Sequence, residues 1–250
     1  MTSHQRQSRA PKLPPRPRET EAPAEGSQPG FTLLELLIVI AVIGVISALL
    51  LPTIAQAKNR GKRVVCLNNL KQWGIATQIY VTDNSDFLPP DGKPTPLNSD
   101  LANVNYHAWY VELPALLGLP RYADMPWRTN PFAPASSVFL CPSNRRRCDS
   151  SSLTNNLFHY CLNENISDTG VNNRPVKITT LSQHSALVWL FDSKNLPAVG
   201  TPNFVHTNLH SGGAQFTFLD GHAARFRSSE YWDYAAGKGR TNNPNIRWYP

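Results

Sequence analysis

Charged residues of either sign are scarce in this chain of 250 residues, at 16% of the total. The formal net charge is +7, but residues 84–250 carry fourteen basic and twelve acidic side chains and are therefore nearly balanced. A dedicated nucleic-acid surface needs concentrated positive charge, so we expect no nucleic-acid partner. The one basic run in this part, Arg145–Arg147, is typical of a solvated loop.

Enzyme signatures are also lacking: there is no nucleophile motif, phosphate-binding loop, paired-carboxylate signature or tandem repeat. The residues that could still serve catalysis or metal binding are Asp192, His206, His210, Asp220 and His222. Two histidines four apart can bind zinc from one helix face, but Ser211-Gly212-Gly213 follows His210 and disfavours a helix. We therefore expect no enzyme activity and no cofactor, with a structural calcium ion near Asp220 as the open alternative.

The first thirty residues contain six prolines and little apolar surface. Such a segment cannot offset the entropy lost on ordering, which predicts a disordered leader over residues 1–30. Residues 31–51 instead form one apolar run, which as a helix spans about 30 Å, the thickness of a bilayer core. The run is longer than the apolar part of a signal peptide, and no small-residue cleavage site follows it. The sequence therefore predicts a transmembrane helix over residues 31–51.

Glu35 is the one charged residue inside this apolar run. A carboxylate at this depth is costly unless it is protonated, reaches the interface or has a partner. Ionisable residues in membrane segments usually have a function, so we expect a specific role for Glu35.

Residues 53–83 predict a continuation of the helix with one apolar face. Side chains suited to burial recur there at spacings of three and four residues, namely Cys66, Leu70, Trp73, Thr77 and Tyr80. The breaker Pro89-Pro90-Asp91-Gly92 follows this pattern. We thus predict one long helix over residues 31–83 and a globular, β-rich head over residues 84–250.

The head contains short apolar runs that are typical of strands. These runs are Val138–Cys141, Ala186–Phe191, Ala214–Leu219 and His222–Phe226, while Trp109–Leu119 favours a short helix. Strands after a long helix indicate an α+β fold with an antiparallel sheet.

Asp220-Gly221 lies between the last two of these runs and predicts a two-residue hairpin loop of type I′. In that register Phe218 lies opposite Ala223. Phe216 and Phe218 then share one face of the strand, which we expect to pack against Trp73 of the helix.

Gly30, Phe31 and Glu35, followed directly by the apolar helix, resemble the processing site of type IV pilins and type II secretion pseudopilins. In that family a prepilin peptidase cleaves after the glycine and methylates the new terminal phenylalanine. The resemblance implies cleavage between Gly30 and Phe31 and methylation of Phe31. It also implies that Glu35 neutralises the terminal amine of a neighbouring subunit. A carboxylate and an ammonium, each costly alone in lipid, offset one another when paired.

The carboxyl-terminal part resembles one branch of that family, in which a histidine is followed by nine residues and then Asp-Gly. Here these are His210, residues 211–219 and Asp220-Gly221. No settled biochemical role comes with this branch.

Four cysteines, Cys66, Cys141, Cys148 and Cys161, allow three disulfide connectivities. In a head exported to an oxidising compartment, disulfides are favoured over metal ligation. Cys66 lies on the helix stripe and Cys141 ends a predicted strand, so a bridge between them could join helix to sheet and leave Cys148 with Cys161. Free buried thiols are the alternative.

These observations predict a pilin-like α+β protein in which the long amino-terminal helix, membrane-spanning in its first half, packs against an antiparallel sheet. The implied function is a structural subunit, major or minor, of a type II secretion pseudopilus or type IV pilus-like filament. Its implied partners are the prepilin peptidase, other subunits, the assembly platform and the bilayer of the inner membrane, with the head in the periplasm or outside the cell. A membrane-anchored binding module that forms no filament is the alternative, and an anchored metal-dependent enzyme comes third.

Overall fold

A computed structural model describes residues 30–92, 107–125, 137–144, 158–166, 176–194 and 198–250. The chain divides into two units, Met1–Leu49 and Leu50–Pro250. The predicted disorder of residues 1–29, the basic run Arg145–Arg147 and Cys148 lie outside the described residues.

Helix α1 runs from Leu33 to Asp83 and supplies the described structure of the first unit. From Leu33 to Leu49 every side chain of this helix is exposed. This segment is apolar on all sides, and α1 is long and apolar enough to cross a membrane. It fits the single membrane anchor predicted from the sequence.

The second unit adds further helices and strands to residues 50–83 of α1. The helices are α2, Trp109–Leu116, and α3, Ser228–Tyr231. The strands are β1, Tyr160–Asn163; β2, Val188–Asp192; β3, Val199–Gly200; β4, Gly213–Phe218; β5, Ala223–Arg227; β6, Trp232–Asp233; and β7, Lys238–Gly239.

The larger sheet has the strand order β3-β1-β2-β4-β5, and β6 pairs with β7 in a separate ribbon. Strand β1 runs parallel to β3, while the pairs β1–β2, β2–β4 and β4–β5 are antiparallel. The predicted α+β fold, with a long helix and a largely antiparallel sheet, is confirmed.

One face of the larger sheet is covered by the second half of α1. The predicted apolar stripe of the helix is buried there, since Cys66, Leu70 and Trp73 are fully inaccessible. Trp73 packs edge-on against Trp109 of α2, with 5.4 Å between the ring centroids. Aromatic burial of this size is a major source of core stability, so helix, sheet and α2 form one hydrophobic core.

The opposite face of the sheet is also buried, which corrects the predicted packing of Phe216 and Phe218. Both phenylalanines belong to a second core, in which Phe216 contacts Tyr231 and Trp248. The residues of β4 that face the helix are polar: Thr217 Oγ1 donates to the Leu70 carbonyl at 2.8 Å. The prediction was wrong because it assumed a sheet with only one buried face, whereas the carboxyl-terminal segment covers the other.

The predicted strand at Val138–Cys141 is also wrong, because these residues form turns. They are nonetheless buried, at 7% exposure or less. Their backbone carbonyls bond to helix side chains instead of a strand: Trp73 Nε1 donates to Val138 O and Asn69 Nδ2 to Leu140 O, both at 3.1 Å. The apolar run therefore reflects burial beneath α1 and not pairing in a ladder.

The hairpin between β4 and β5 exists, but its register differs from the prediction. Thr217 pairs with Ala223, and Phe218 N donates to His222 O at 2.9 Å, which leaves a three-residue loop of Leu219, Asp220 and Gly221. Gly221 has the positive φ expected of it, at 86°. A three-residue loop that ends in a left-handed glycine is the next most common hairpin after the two-residue type. It shifts the predicted pairing by one residue.

Candidate functional site

The predicted processing site lies at the start of α1. Gly30 and Phe31 precede the helix and are exposed, Phe31 at 73%. A Cβ placed on Gly30 would have no neighbour within 4 Å. The backbone around this bond is therefore open to an approaching enzyme.

Glu35 has a local partner that the sequence analysis did not assign. Its Oε2 accepts hydrogen bonds from Thr32 N at 2.9 Å and from Thr32 Oγ1 at 2.7 Å. Thr32 Oγ1 in turn accepts from the backbone N–H of Glu35 at 3.2 Å. This reciprocal arrangement is a capping box, and its sequence signal is the spacing Thr-x-x-Glu. In a single chain, Glu35 thus caps its own helix.

A disulfide joins Cys66 of α1 to Cys141, one of the pairings that four cysteines allow. Both residues are buried. The bond connects the helix to the turn segment beneath it, where Asn69 and Trp73 also donate hydrogen bonds. Cys161 is buried in β1, and its predicted partner Cys148 lies outside the described residues. That second pairing stays a prediction.

Beside the disulfide lies a buried pair formed by His210 and Asp192. His210 Nε2 is 3.1 Å from Asp192 Oδ2, and both side chains are fully inaccessible. The same carboxylate oxygen accepts the backbone N–H of Gln215 at 2.7 Å. His210 Nε2 also lies 3.6 Å from Cys141 Sγ. The pair therefore ties the end of β2 to the segment that leads into β4.

A tight turn holds His210 in this position. His210 N donates to the Gly213 carbonyl at 3.1 Å, and the two residues between them, Ser211 and Gly212, both have positive φ. The Arg225 guanidinium bonds the carbonyl oxygens of His210 and Ser211 at 2.9 and 2.8 Å. Gly212 adopts the left-handed backbone conformation at no steric cost, which explains why the first of the two adjacent glycines is a glycine.

The donor atoms of Cys66, Cys141 and His210 lie within 4.8 Å of one another. A metal is bound by thiolates, however, and these two sulfurs are bonded to each other. The oxidised cluster can therefore serve as a covalent and hydrogen-bonded junction, but it offers only the histidine as a metal ligand.

His206 does not share a helix face with His210, because residues 205–210 form no helix. Its backbone N–H donates to Asp192 O at 2.9 Å, and its carbonyl accepts the hydroxyl of Tyr231 at 2.8 Å. Burial lowers the pKa of His206 below the ordinary imidazole value, against the opposing pull of the Asp192 carboxylate. The surroundings of His206 therefore favour a neutral ring.

Asp220 and His210 are not brought together, since they lie beyond opposite ends of β4. Asp220 instead bonds within its own turn: its Oδ1 accepts the backbone N–H of His222 at 3.0 Å and lies 2.6 Å from His222 Nδ1. This pair is partly exposed. Its geometry is that of an aspartate stabilising a loop, and a calcium site at Asp220 stays a prediction.

Sequence reasoning considered Asp192 and His210 but did not pair them. The missing information was strand order: β2 lies beside β4, and Phe191 pairs with Phe216. That register brings Asp192 to the start of β4, next to the turn that carries His210. Adjacency of two strands separated by a long connection leaves no local signal in the sequence.

Comparison with known proteins identifies the amino-terminal region. Residues 26–51 match the family model described as the prokaryotic N-terminal methylation motif. The chain is 28% identical over 82 residues to the type II secretion system core protein G of Pseudomonas aeruginosa, covering 28% of this chain and 58% of that protein. It is 33% identical over 61 residues to the same-named protein of Klebsiella michiganensis, covering 24% of this chain and 43% of that protein.

A third relative is the type IV wide pilus major component PilA4 of Thermus thermophilus, 38% identical over 58 residues. That match covers 23% of this chain and 44% of the relative. The chain thus spans about half the length of the curated relatives it matches. No solved structure shows a significant match. Membership of the branch with the His210 to Gly221 spacing stays a prediction. The amino-terminal region of this chain therefore carries the N-terminal methylation motif and is similar in sequence to a type II secretion core protein and a type IV pilus component.

Proposed function

We propose that this protein is a structural subunit of a type II secretion pseudopilus or a type IV pilus-like filament. A prepilin peptidase cleaves it after Gly30 and methylates Phe31. The mature subunit is held in the inner membrane by residues 31–51 until the assembly platform adds it to the filament, with its head in the periplasm or outside the cell. The proposal assigns the head no catalytic role.

One observation carries this proposal: a carboxylate, Glu35, lies in the first turn of the helix, within an otherwise apolar run over residues 31–51 in which every side chain is exposed. An exposed apolar surface of this length needs lipid or other apolar helices around it. Within such surroundings a lone carboxylate is costly, so its presence favours a cationic partner. Similarity to a pseudopilin and a pilin supports the terminal amine of a neighbouring subunit as that partner.

The capping box suggests how the Glu35 carboxylate is stabilised before assembly. Its carboxylate accepts two hydrogen bonds from Thr32 in the single chain. These bonds lower the cost of bringing the carboxylate into the membrane, but its negative charge still has no cationic partner there. During assembly a neighbour's ammonium then adds to, or replaces, the bonds from Thr32. A charge-assisted pair of this kind is stronger than a neutral hydrogen bond.

Two substitutions at Glu35 separate helix capping from charge neutralisation. Glu35→Gln retains an acceptor for Thr32 but removes the negative charge, whereas Glu35→Ala removes both. We expect both variants to insert into the membrane normally and both to lose filament incorporation. The measurement is crosslinking into oligomers, together with sedimentation of sheared filaments from cells that also express the assembly machinery.

The control is Thr32→Ala, which weakens the cap but keeps the carboxylate, and should assemble nearly normally. Assembly of Glu35→Gln at the level of the unchanged protein would contradict charge neutralisation. It would indicate that Glu35 acts only as a helix cap. Normal assembly of Glu35→Ala as well would favour the alternative, a membrane-anchored binding module.

Processing is tested separately by mass spectrometry of membrane protein from a host with an active prepilin peptidase. The expected mature chain begins at methylated Phe31. Gly30→Val should retain the leader, because a branched side chain obstructs the open backbone at the cleavage site. An intact leader on the unchanged protein would refute the proposed processing.

A further inference from the structure

A polar cavity of about 280 Å³ lies between the helix and the turn that carries His210. Apart from Leu209, the residues that line it are Asn59, Lys62, Arg63, Ser143, His210 and Ser211. All six carry side-chain groups that can donate a hydrogen bond, if the imidazole is included, and none is a carboxylate. Its volume is slightly below that of pockets for drug-sized ligands, and is sufficient for a small charged group.

Within the described ranges, the two cations of this cavity have no acidic partner at ion-pair distance. The ion pairs among the described residues involve His107, Arg121, His210 and His222, and none includes Lys62 or Arg63. Both side chains are half-buried, whereas Lys58 and Arg60 one turn earlier are exposed. The backbone next to the site is also fixed, because Gln215 Nε2 donates to Arg63 O at 2.8 Å.

His210 supplies the rigid wall of the cavity. Its Nε2 is engaged with Asp192, but its Nδ1 is buried and has no hydrogen-bond partner among the described residues. A buried polar atom without a partner is costly. Because the whole ring is inaccessible, His210 shapes the cavity and presents no free nitrogen to it.

Carbonyl oxygens that would repel an anion are occupied elsewhere. The carbonyls of His210 and Ser211 both accept from the Arg225 guanidinium. This clamp shapes the turn and adds a third positive charge close to the site. The side chains that line the cavity are therefore cations and neutral polar groups, and the Asp192 carboxylate is engaged with the buried His210 ring.

We propose that this cavity binds a phosphate-bearing anion. Arginine and lysine together are the usual protein partners of phosphate, arginine through its planar fork and lysine as a point charge. The serine hydroxyls and the Asn59 amide complete a set of donors for the remaining phosphate oxygens. The site does not depend on filament assembly, so its test stands apart from that of the proposed function.

A soluble phosphate compound is favoured over a membrane lipid as the source. Lys62 lies eleven residues beyond Leu51, where the apolar run ends. Along a helix this distance is about 16 Å, whereas the headgroup layer of one leaflet is only about 5–8 Å thick. The helix between the apolar run and Lys62 is therefore longer than one headgroup layer is thick.

The test uses the full chain in uncharged detergent micelles, titrated with inorganic phosphate by calorimetry and phosphorus NMR. The double variant Lys62→Gln/Arg63→Gln removes the cations of the cavity. Its matched control, Lys58→Gln/Arg60→Gln, removes the same charge from the exposed turn just before it. We expect saturable binding to the unchanged protein and the control, and at least about tenfold weaker binding to the cavity variant, as befits the loss of two charge-assisted contacts.

A second arm decides the source of the phosphate. Native mass spectrometry of the same proteins is carried out with equal amounts of phosphatidylglycerol and phosphatidylcholine. Binding of inorganic phosphate without preferential retention of phosphatidylglycerol supports a soluble ligand. Preferential retention that only the cavity variant loses supports the phosphate site but assigns it to a lipid headgroup. Equal losses in both variants, or no saturable binding of either probe, would overturn the proposal.

Discussion

The two halves of helix α1 differ in what surrounds their side chains. From Leu33 to residue 65 no side chain is buried, although most are apolar. From Cys66 to Asp83 eight residues are buried along one face, and the opposite face is exposed. One continuous helix therefore has two kinds of surroundings. Its second half packs against the head of the same chain, whereas the apolar run of its first half needs lipid or other subunits around it.

The largest expected effect concerns the covalent bond at the start of the second half. The Cys66–Cys141 disulfide closes a loop with a sequence separation of 75 residues. In the chain-entropy model its loss should lower the free energy of unfolding of the head by about 4 kcal/mol. The measurement is denaturant unfolding of the full chain in detergent, followed by tryptophan fluorescence, before and after reduction by a dithiol.

The double variant Cys66→Ala/Cys141→Ala is the control for this prediction. Its stability should already be low and should change little on reduction, which separates this disulfide from any other. Peptide mapping of the exported protein should recover the bridged pair. Recovery of free thiols at both positions would contradict the disulfide.

Two leucines of the same helix, one buried and one exposed, sharpen the comparison next. Leu70 is fully buried, so Leu70→Ala should lower the free energy of unfolding by about 3 kcal/mol through lost burial and a cavity. Leu36 is 55% exposed, and Leu36→Ala should change the stability of the head by less than about 0.5 kcal/mol. The same unfolding measurement applies. A large loss in Leu36→Ala would mean that the first half stabilises the head, against the comparison.

Replacing two glycines of the helix by alanine should change the stability of the head in opposite directions. A Cβ on Gly74 would lie 2.5 Å from the carbonyl oxygen of Gly221, so Gly74→Ala should cost about 2 kcal/mol of head stability. A Cβ on Gly61 would meet nothing within 4 Å, and Gly61→Ala should stabilise by up to about 1 kcal/mol through helix propensity. Thermal unfolding of both variants decides this, and a shift of the same sign in both would refute the close contact at Gly74.

The smallest effects concern the hairpin loop that touches the helix. Gly221→Val should cost about 1.5 kcal/mol, because Gly221 has a φ of 86° that a β-branched residue resists. Asp220→Asn keeps an oxygen for the His222 N–H and should be nearly neutral. Melting both variants with and without calcium tests the role of Asp220. If only Asp220→Asn loses a stabilisation that calcium gives the unchanged protein, this loop binds a metal ion.

Features that depend on local sequence were predictable. The apolar run, the stripe of Cys66, Leu70 and Trp73, and the positive φ of Gly221 each follow from spacing or residue type. The candidate processing site was likewise readable, because Gly30, Phe31 and Glu35 lie within a few residues of each other. Even the capping role of Glu35 had a local signal, in the Thr32 that precedes it by three positions.

Features that depend on contacts distant in sequence were not predictable. Which face of β4 meets the helix is decided by Thr217, whose small side chain lets the helix approach, and by Trp248 on the other side. The turn at residues 138–141 looked like a strand because burial and strand pairing select the same apolar residues. The pairing of His210 with Asp192 could not be predicted without knowing the order of the strands in the sheet.

The disulfide also determines how the head would carry mechanical load. Tension applied along α1 reaches Cys66 and passes through a covalent bond directly to Cys141, so it cannot extend the chain between them while the disulfide is intact. The chain between Cys66 and Cys141 would extend by about 250 Å if it were free to unravel. The oxidised head can therefore lengthen only through its later residues, and the burial of Leu70 and Trp73 against α2 is shielded from the pulling force. A reducing agent would change the extensibility of the protein even under conditions in which its resting fold stays intact.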